Sequence, residues 1–83
     1  MTLLYFAWLR QKIGKSMEEI TPPPGIATVK DLIAHLQTLS PAHAEAFADH
    51  SRIRAAVNQH HAGLDAKIAA GDEIAFFPPV TGG

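Results

Sequence analysis

Two runs of proline divide this chain more firmly than any other feature. Pro22-Pro23-Pro24 and Pro78-Pro79 lack backbone N–H groups, so neither run continues a β-ladder through the middle of a sheet. Strands are therefore confined to the residues before 22 and to the stretch that ends at 77. With 83 residues, 47% of them apolar and 18% charged, the chain has material for one hydrophobic core and not for two.

The clearest element lies between the proline runs. The Thr28 hydroxyl is positioned to cap a helix, and Asp31 three residues later completes a capping box and favours the helix dipole. Val29, Leu32, Ile33, Leu36 and Leu39 follow at helical spacing, which predicts a main core helix with one continuous apolar stripe. Ser40-Pro41 repeats the pattern of a cap followed by proline at the first helical position, so a shorter helix is expected over Ala42 to His50 with Phe47 in the core.

On either side the signals are those of strands. Thr2 to Trp8 is a short aromatic-rich apolar run and reads as a first strand, although periodicity alone also fits a buried helix. Leu9 to Gly14 then forms a helical turn or loop that leads to a second strand around Ser16 to Thr21. Ile53, Ala55 and Val57 alternate with Arg54, Ala56 and Asn58 at a period of two, and Asn58 to Gly63 reads as a turn region. Gly71-Asp72 introduces a last strand over Glu73 to Phe77. This order predicts an α+β fold of the β-grasp, or ubiquitin-like, roll: a mixed sheet packed on one main helix plus a short second helix. Residues 1–77 form the domain, and residues 78–83 form a flexible C-terminal Gly-Gly tail.

Composition removes several functions. Seven Lys+Arg against eight Asp+Glu give a net charge of −1, which supplies no phosphate-neutralising face, so nucleic acid is not an expected partner. The chain has no cysteine, which excludes disulfides, thiolate nucleophiles and cysteine-based metal sites. No apolar run approaches the ~20 residues that span a bilayer, and the N-terminus lacks a secretory pattern, so the expected location is the cytoplasm without membrane association. A domain this small also has little interior to devote to a deep active site of its own.

The tip, Val80-Thr81-Gly82-Gly83, admits two readings. Small residues at a chain end are where fraying concentrates. An extended chain from Pro78 to Gly83 also reaches about 20 Å, enough to enter a narrow channel in a partner, and glycine at the tip lets the backbone approach closely. In that second reading the α-carboxylate of Gly83 is the reactive group. A carboxylate is a poor electrophile, so an ATP-using partner has to activate it as a mixed anhydride, and the chain is a carrier.

Phe6-Ala7-Trp8-Leu9-Arg10, Ala56-Val57-Asn58-Gln59 and above all Gly71 to Gly83, with Phe76-Phe77-Pro78-Pro79-Val80-Thr81-Gly82-Gly83 at its end, resemble the small, sulfur-carrier subunits of molybdopterin synthases, a ubiquitin-like sulfur-carrier family. The likeness spans nearly the whole chain. It implies that an adenylyltransferase of the ubiquitin-activating type uses ATP to adenylate Gly83, and that sulfur then replaces the adenylate to give a thiocarboxylate. The tail, Pro78, Pro79, Val80, Thr81 and Gly82, inserts into the large subunit of the synthase, where the sulfur builds the dithiolene of molybdopterin from a cyclic pyranopterin monophosphate. The resemblance further implies no cofactor or metal on the chain itself, and a heterotetramer with two large subunits at its centre. A carrier for thiamine or another sulfur metabolite, a ubiquitin-like modifier joined to lysines, and an interaction module with an inert tail are the alternatives.

Strand parity suggests where a partner docks. With Ile74 and Phe76 facing the helix, Glu73, Ala75 and Phe77 point to the other side of the sheet, and Leu4, Phe6 and Trp8 join them if the first strand keeps its alternation. Phe6 or Trp8 packed under a loop explains the same residues. The resemblance implies docking through Phe6 and Phe77 and a contact just after Val57-Asn58-Gln59, at His61, where family members often carry an apolar residue. The histidines otherwise read as solvated or partly buried: His43 and His50 are seven apart, and no i, i+4 pair or acidic cluster accompanies them. Arg10, Lys12 and Lys15 read as a solvated basic spot, and Asp65, Asp72 and Glu73 read as turn residues or partner contacts.

Overall fold

A computed structural model of the chain describes residues 1–79. Its elements in order are β1 (Thr2–Tyr5), α1 (Ala7–Ile13), β2 (Met17–Glu19), α2 (Val29–Leu36), α3 (Pro41–Ala46), a 3-10 turn (His50–Arg52), β3 (Arg54–Val57), β4 (His60–Ala62) and β5 (Glu73–Phe77). The five strands form one sheet in the order β2-β1-β5-β3-β4. β1 and β5 run parallel at its centre, and every other pair is antiparallel. This is the mixed sheet and helix layer of a β-grasp roll. The expected tail falls partly outside the described residues, since Val80, Thr81, Gly82 and Gly83 are not among them.

One face of the sheet is sealed by the helices. Leu3 and Tyr5 of β1, Ile74 and Phe76 of β5 and Ala55 of β3 point to it and are buried against Leu9, Val29, Leu32, Ile33, Leu36 and Phe47. Alternate residues therefore serve opposite faces, as a strand period of two requires. Tyr5, Phe47 and Phe76 meet at the centre of the core; Phe47 stands edge-on to Phe76 at 5.0 Å between ring centroids, a favoured aromatic geometry.

Helix α2 forms as its cap predicts. The Asp31 backbone N–H donates to the Thr28 hydroxyl at 3.2 Å, and the Asp31 carboxylate accepts the Thr28 N–H at 3.1 Å. That carboxylate also accepts the Ala27 N–H, and these bonds hold its pKa below the usual carboxylate range. The apolar stripe stops one member early. Leu39 was expected inside and is 42% exposed, because Thr38 and Leu39 close i to i+3 bonds onto His35 and Leu36. That tighter winding turns Leu39 off the stripe.

Four other expectations are corrected. The first strand ends at Tyr5 and not at Trp8: Phe6 is extended, Ala7 takes φ 54, and Trp8 lies in the first turn of α1. Leu9 and Ile13, four apart and both buried, are the helical signal that the aromatic run masked. The second helix ends at Ala46 and not at His50. Asp49 takes both the N–H and the hydroxyl of Ser51, at 3.0 and 2.6 Å, and starts a separate 3-10 turn. Within the expected turn region of Asn58 to Gly63, only Asn58 and Gln59 turn, with φ 50 and 71, and His60–Ala62 pairs back on β3 as an edge strand. Two consecutive left-handed residues make the tight hairpin whose twist matches its strands. The second strand is shorter than its predicted span, three residues from Met17 to Glu19.

Because the capping box satisfies N–H groups that α2 otherwise leaves open, Thr28→Ala is expected to lower unfolding free energy by about 1 kcal/mol in urea denaturation.

Candidate functional site

The face of the sheet away from the helices carries no covering layer among the described residues. Strand register sets its composition. Met17, Leu4, Ala75, Ala56 and His61 lie side by side across β2, β1, β5, β3 and β4, while Phe77 opposite Arg54 forms the next row toward the end of β5. Phe6 follows Tyr5, and its N–H donates to the Phe76 carbonyl at 3.1 Å, so β1 delivers Phe6 beside Phe77. Phe6 is 47% exposed and Met17 54% exposed. The opposite end of the same face is acidic, with Glu19 and Glu73 flanking Thr2.

Phe6, His61 and Phe77, the three candidate contacts, are thus brought together. The His61 ring stands edge-on to Phe77, 5.5 Å between centroids at 89°. His61 lies on a strand and not in the expected turn, and the strand points it to the open face while His60 has the opposite parity. Trp8 does not join this patch, because the turn at Ala7 carries it into α1 on the helix side of the sheet.

Immediately beyond Phe77 the ladder ends at Pro78-Pro79. These prolines are half-buried, and with Trp8, Ser51 and Arg52 they wall a groove of about 300 Å³. The root of the tail therefore leaves the sheet between the Phe6–Phe77 patch and that groove. The other tail candidates, Val80, Thr81, Gly82 and Gly83, lie outside the described residues.

A polar cluster under the sheet was not legible as such. His43 was expected to be solvated or partly buried and is buried, the one buried polar side chain among the described residues. Its two ring nitrogens lie 2.7 Å from the Ser40 hydroxyl and 3.0 Å from Glu18. Glu18 also accepts the Tyr5 hydroxyl at 2.9 Å and the Lys15 ammonium at 3.2 Å. The cluster ties α3 to β1 and β2 and leaves no polar atom of it unpaired. Burial pushes the Glu18 carboxyl up, but the bonds from His43, Tyr5 and Lys15 outweigh it and hold the carboxyl below its ordinary value. Burial, then the bond to Glu18 and its charge, push the Tyr5 hydroxyl up. The sequence signal was present only as Glu18 at an inward position of β2, 25 residues from His43.

The remaining polar candidates do not converge. His50 lies in a separate 3-10 turn, away from the helix of His43. Lys12 pairs with Glu45 at 3.7 Å and Lys15 with Glu18, so the basic spot is partly neutralised. Asp72 braces the two turns, accepting from Asn58 at 3.0 Å and from the Ala69 N–H at 2.8 Å. Those bonds, Asn58 first, hold its carboxyl low. Among the described residues no three His, Asp or Glu side chains gather as metal ligands, and no helix is long and apolar enough to cross a membrane.

An exposed aromatic patch beside a proline-led terminus, on a β-grasp body, can dock a partner and extend a strand of chain into it. The ThiS family model matches residues 3–83. The chain belongs to the ThiS family. Across 81 residues it is 40% identical to the molybdopterin synthase sulfur carrier subunit of Escherichia coli, covering 98% of this chain and 96% of that one. Among solved structures, the putative molybdopterin converting factor subunit 1 from Pyrococcus furiosus superposes with a TM-score of 0.74 at 32% identity, over 95% of both chains. SAMP1 from Haloferax volcanii does so with a TM-score of 0.72 at 33% identity, over 100% of this chain and 98% of its own. This ThiS-family member thus shares its β-grasp body with these relatives over almost its entire length.

The Glu18 carboxylate sets a pH dependence with a definite sign. A carboxyl depressed in the folded state contributes stability above its unfolded pKa and loses it as pH falls toward the folded value. Glu18→Gln is expected to be less stable than the parent by about 1–3 kcal/mol at pH 7. The gap should narrow as the pH is taken below about 4, which paired thermal melts across pH will measure.

Proposed function

We propose that this protein is the sulfur-carrying small subunit of a molybdopterin synthase, a sulfurtransferase subunit that works only with its large subunit. What carries the reading is the position of the tail's root. β5 runs directly from the half-buried Phe77, beside the exposed Phe6, into Pro78-Pro79, so one docking event on the open face aims the following residues at the partner. The full-length similarity to a relative named as that sulfur carrier supports the same reading.

The chemistry follows from the carboxylate. Its delocalised charge and poor leaving group resist attack, so an adenylyltransferase of the ubiquitin-activating type joins Gly83 to the α-phosphate of ATP and releases pyrophosphate. A sulfur nucleophile then displaces AMP and leaves a thiocarboxylate on Gly83. A thiocarboxylate is ionised at neutral pH and needs no neighbouring base, so no side chain of this chain takes part in bond making. Pro78, Pro79, Val80, Thr81 and Gly82 carry the sulfur into the large subunit, where it attacks the cyclic pyranopterin monophosphate precursor. Two such transfers build the dithiolene, and hydrolysis restores the carboxylate. ATP is held by the activating enzyme, and this chain binds no cofactor of its own.

Docking falls to the open face. Phe6 and Phe77 supply apolar area that monomers seldom leave uncovered, and His61 stands against Phe77 as the third contact. Proline at 78 and 79 stiffens the root, so less freedom is lost when the tail enters a channel.

Two experiments test this. Intact-mass measurement of the protein from its native cell is expected to show one oxygen exchanged for sulfur, and deletion of Gly83 should abolish dithiolene formation while thermal unfolding stays unchanged. Branched Gly-Gly remnants on lysines of other proteins, with no sulfur on Gly83, would make it a modifier instead; sulfur incorporation into thiamine with none into pterin would redirect the carrier to that pathway. Separately, Phe77→Asp is expected to weaken binding to the large subunit by at least about tenfold, the scale of a central contact, with titration calorimetry as the measure. Affinity equal to that of the parent would remove the open face as the docking surface.

A further inference from the structure

The groove beside the tail's root holds an exposed guanidinium that makes no salt bridge among the described residues. Its walls are Pro78 and Pro79 on one side and Trp8, Ser51 and Arg52 on the other. Trp8 and Arg52 also line an adjoining groove of about 580 Å³ with Gln11, Lys12, Glu45 and Asp49. In this neighbourhood the other charges have partners. Lys12 pairs with Glu45, and Asp49 accepts the N–H and hydroxyl of Ser51. The Arg52 guanidinium makes no salt bridge among the described residues, although after the two Ser51 bonds its charge helps to hold the nearby Asp49 carboxyl low, and it lies over the Trp8 ring, with Cζ 4.9 Å from the centroid. A guanidinium held over an indole still carries N–H donors for an acceptor elsewhere.

The placement of the pair has a conformational origin. After β1 the chain turns through Ala7 at φ 54, a left-handed conformation that non-glycine residues avoid. This turn swings Trp8 off the open face and back to the helix side of the sheet, next to the root of the tail. The root therefore runs between two surfaces, the apolar Phe6–Phe77 patch and the Trp8–Arg52 groove. A protein that admits the tail into a channel has to surround Pro78 and Pro79 on both sides, so the mouth of that channel meets this groove as well as the open face.

We propose that the groove between Pro78-Pro79 and the Trp8–Arg52 stack is a second contact for the large subunit, filled by a segment at its channel mouth that carries a carboxylate on an apolar stem. The inference rests on the carrier reading above. The apolar stem packs between the indole and the prolines, and the carboxylate accepts from Arg52, whose N–H groups make no salt bridge among the described residues. Arg52 is exposed, so its contribution is electrostatic and screened by salt.

Titration of the full-length chain into the purified large subunit tests the proposal. Arg52→Glu is expected to weaken binding at least about tenfold, and Arg52→Gln about threefold to fivefold, as repulsion and simple loss of a rim charge differ. Arg52→Lys keeps the charge but not the planar guanidinium over Trp8, so it should bind between the parent and Arg52→Gln. The dissociation constant of the parent should rise more steeply with sodium chloride than that of Arg52→Gln. Thermal melts of the variants, which change an exposed side chain, provide the folding control, and Lys12→Gln in the adjoining groove should bind as the parent does. A parent chain that binds while Arg52→Glu matches it in affinity and salt dependence overturns this contact alone. Equal losses from Arg52→Gln and Lys12→Gln overturn it too, by showing a diffuse charge effect. A parent chain that does not bind the large subunit at all overturns the carrier reading and this contact with it.

Discussion

The parallel pairing of β1 with β5 is the constraint on which the rest of this molecule depends. It brings residues 2–5 into register with 73–76, and a parallel pair cannot be joined by a tight turn. The whole middle of the chain, the three helices, β2 and the β3–β4 hairpin, is therefore the connection between these two strands. The same pairing makes the two central strands end together, which places Phe6 beside Phe77 and sends the prolines off that end of the sheet. Without it the aromatic patch and the root of the tail would belong to different parts of the surface.

The sheet separates stability from recognition by parity. Inward residues of β1 and β5 are fully buried among aromatic and branched side chains, whereas their outward neighbours, one residue away, form an open surface that no described element covers. A slip of one residue in register would exchange the two sets. The His43–Glu18–Tyr5 cluster acts at the edge of this arrangement, where the three-residue strand β2 has little ladder to hold it. Its hydrogen bonds fasten β2 to α3 at a place where apolar packing alone supplies few contacts.

Much of the fold was legible because the relevant signals are local. The capping box at Thr28 and Asp31, the stripe of Val29, Leu32, Ile33 and Leu36, the Ser40-Pro41 start and the alternation in β3 and β5 each depend on residues close in sequence. What was misread was also local in appearance but decided elsewhere. Trp8 continues an apolar run, yet the core needed Leu9 and Ile13 on a helix. The Asn58-Gln59 turn lacks the glycine that usually marks such a hairpin, so the edge strand at His60–Ala62 was hidden. Asp49 ended a helix by a side-chain bond that composition does not reveal. At the candidate site, the outward direction of Phe77 could be read directly, whereas the neighbourhood of Phe6, His61 and Phe77 could not.

By itself the sequence determined the chemistry available to this ThiS-family chain. It has no cysteine and a net charge of −1, and residues 78–83 read Pro-Pro-Val-Thr-Gly-Gly. It also determined which residues of each strand share a face, because side-chain alternation is a property of the extended backbone alone. Only the tertiary structure decided which faces meet. His43 against Glu18 across 25 residues, His61 against Phe77 and Arg52 over Trp8 are contacts between elements, and contacts of that kind depend on strand order and register, which are set by packing the whole chain at once.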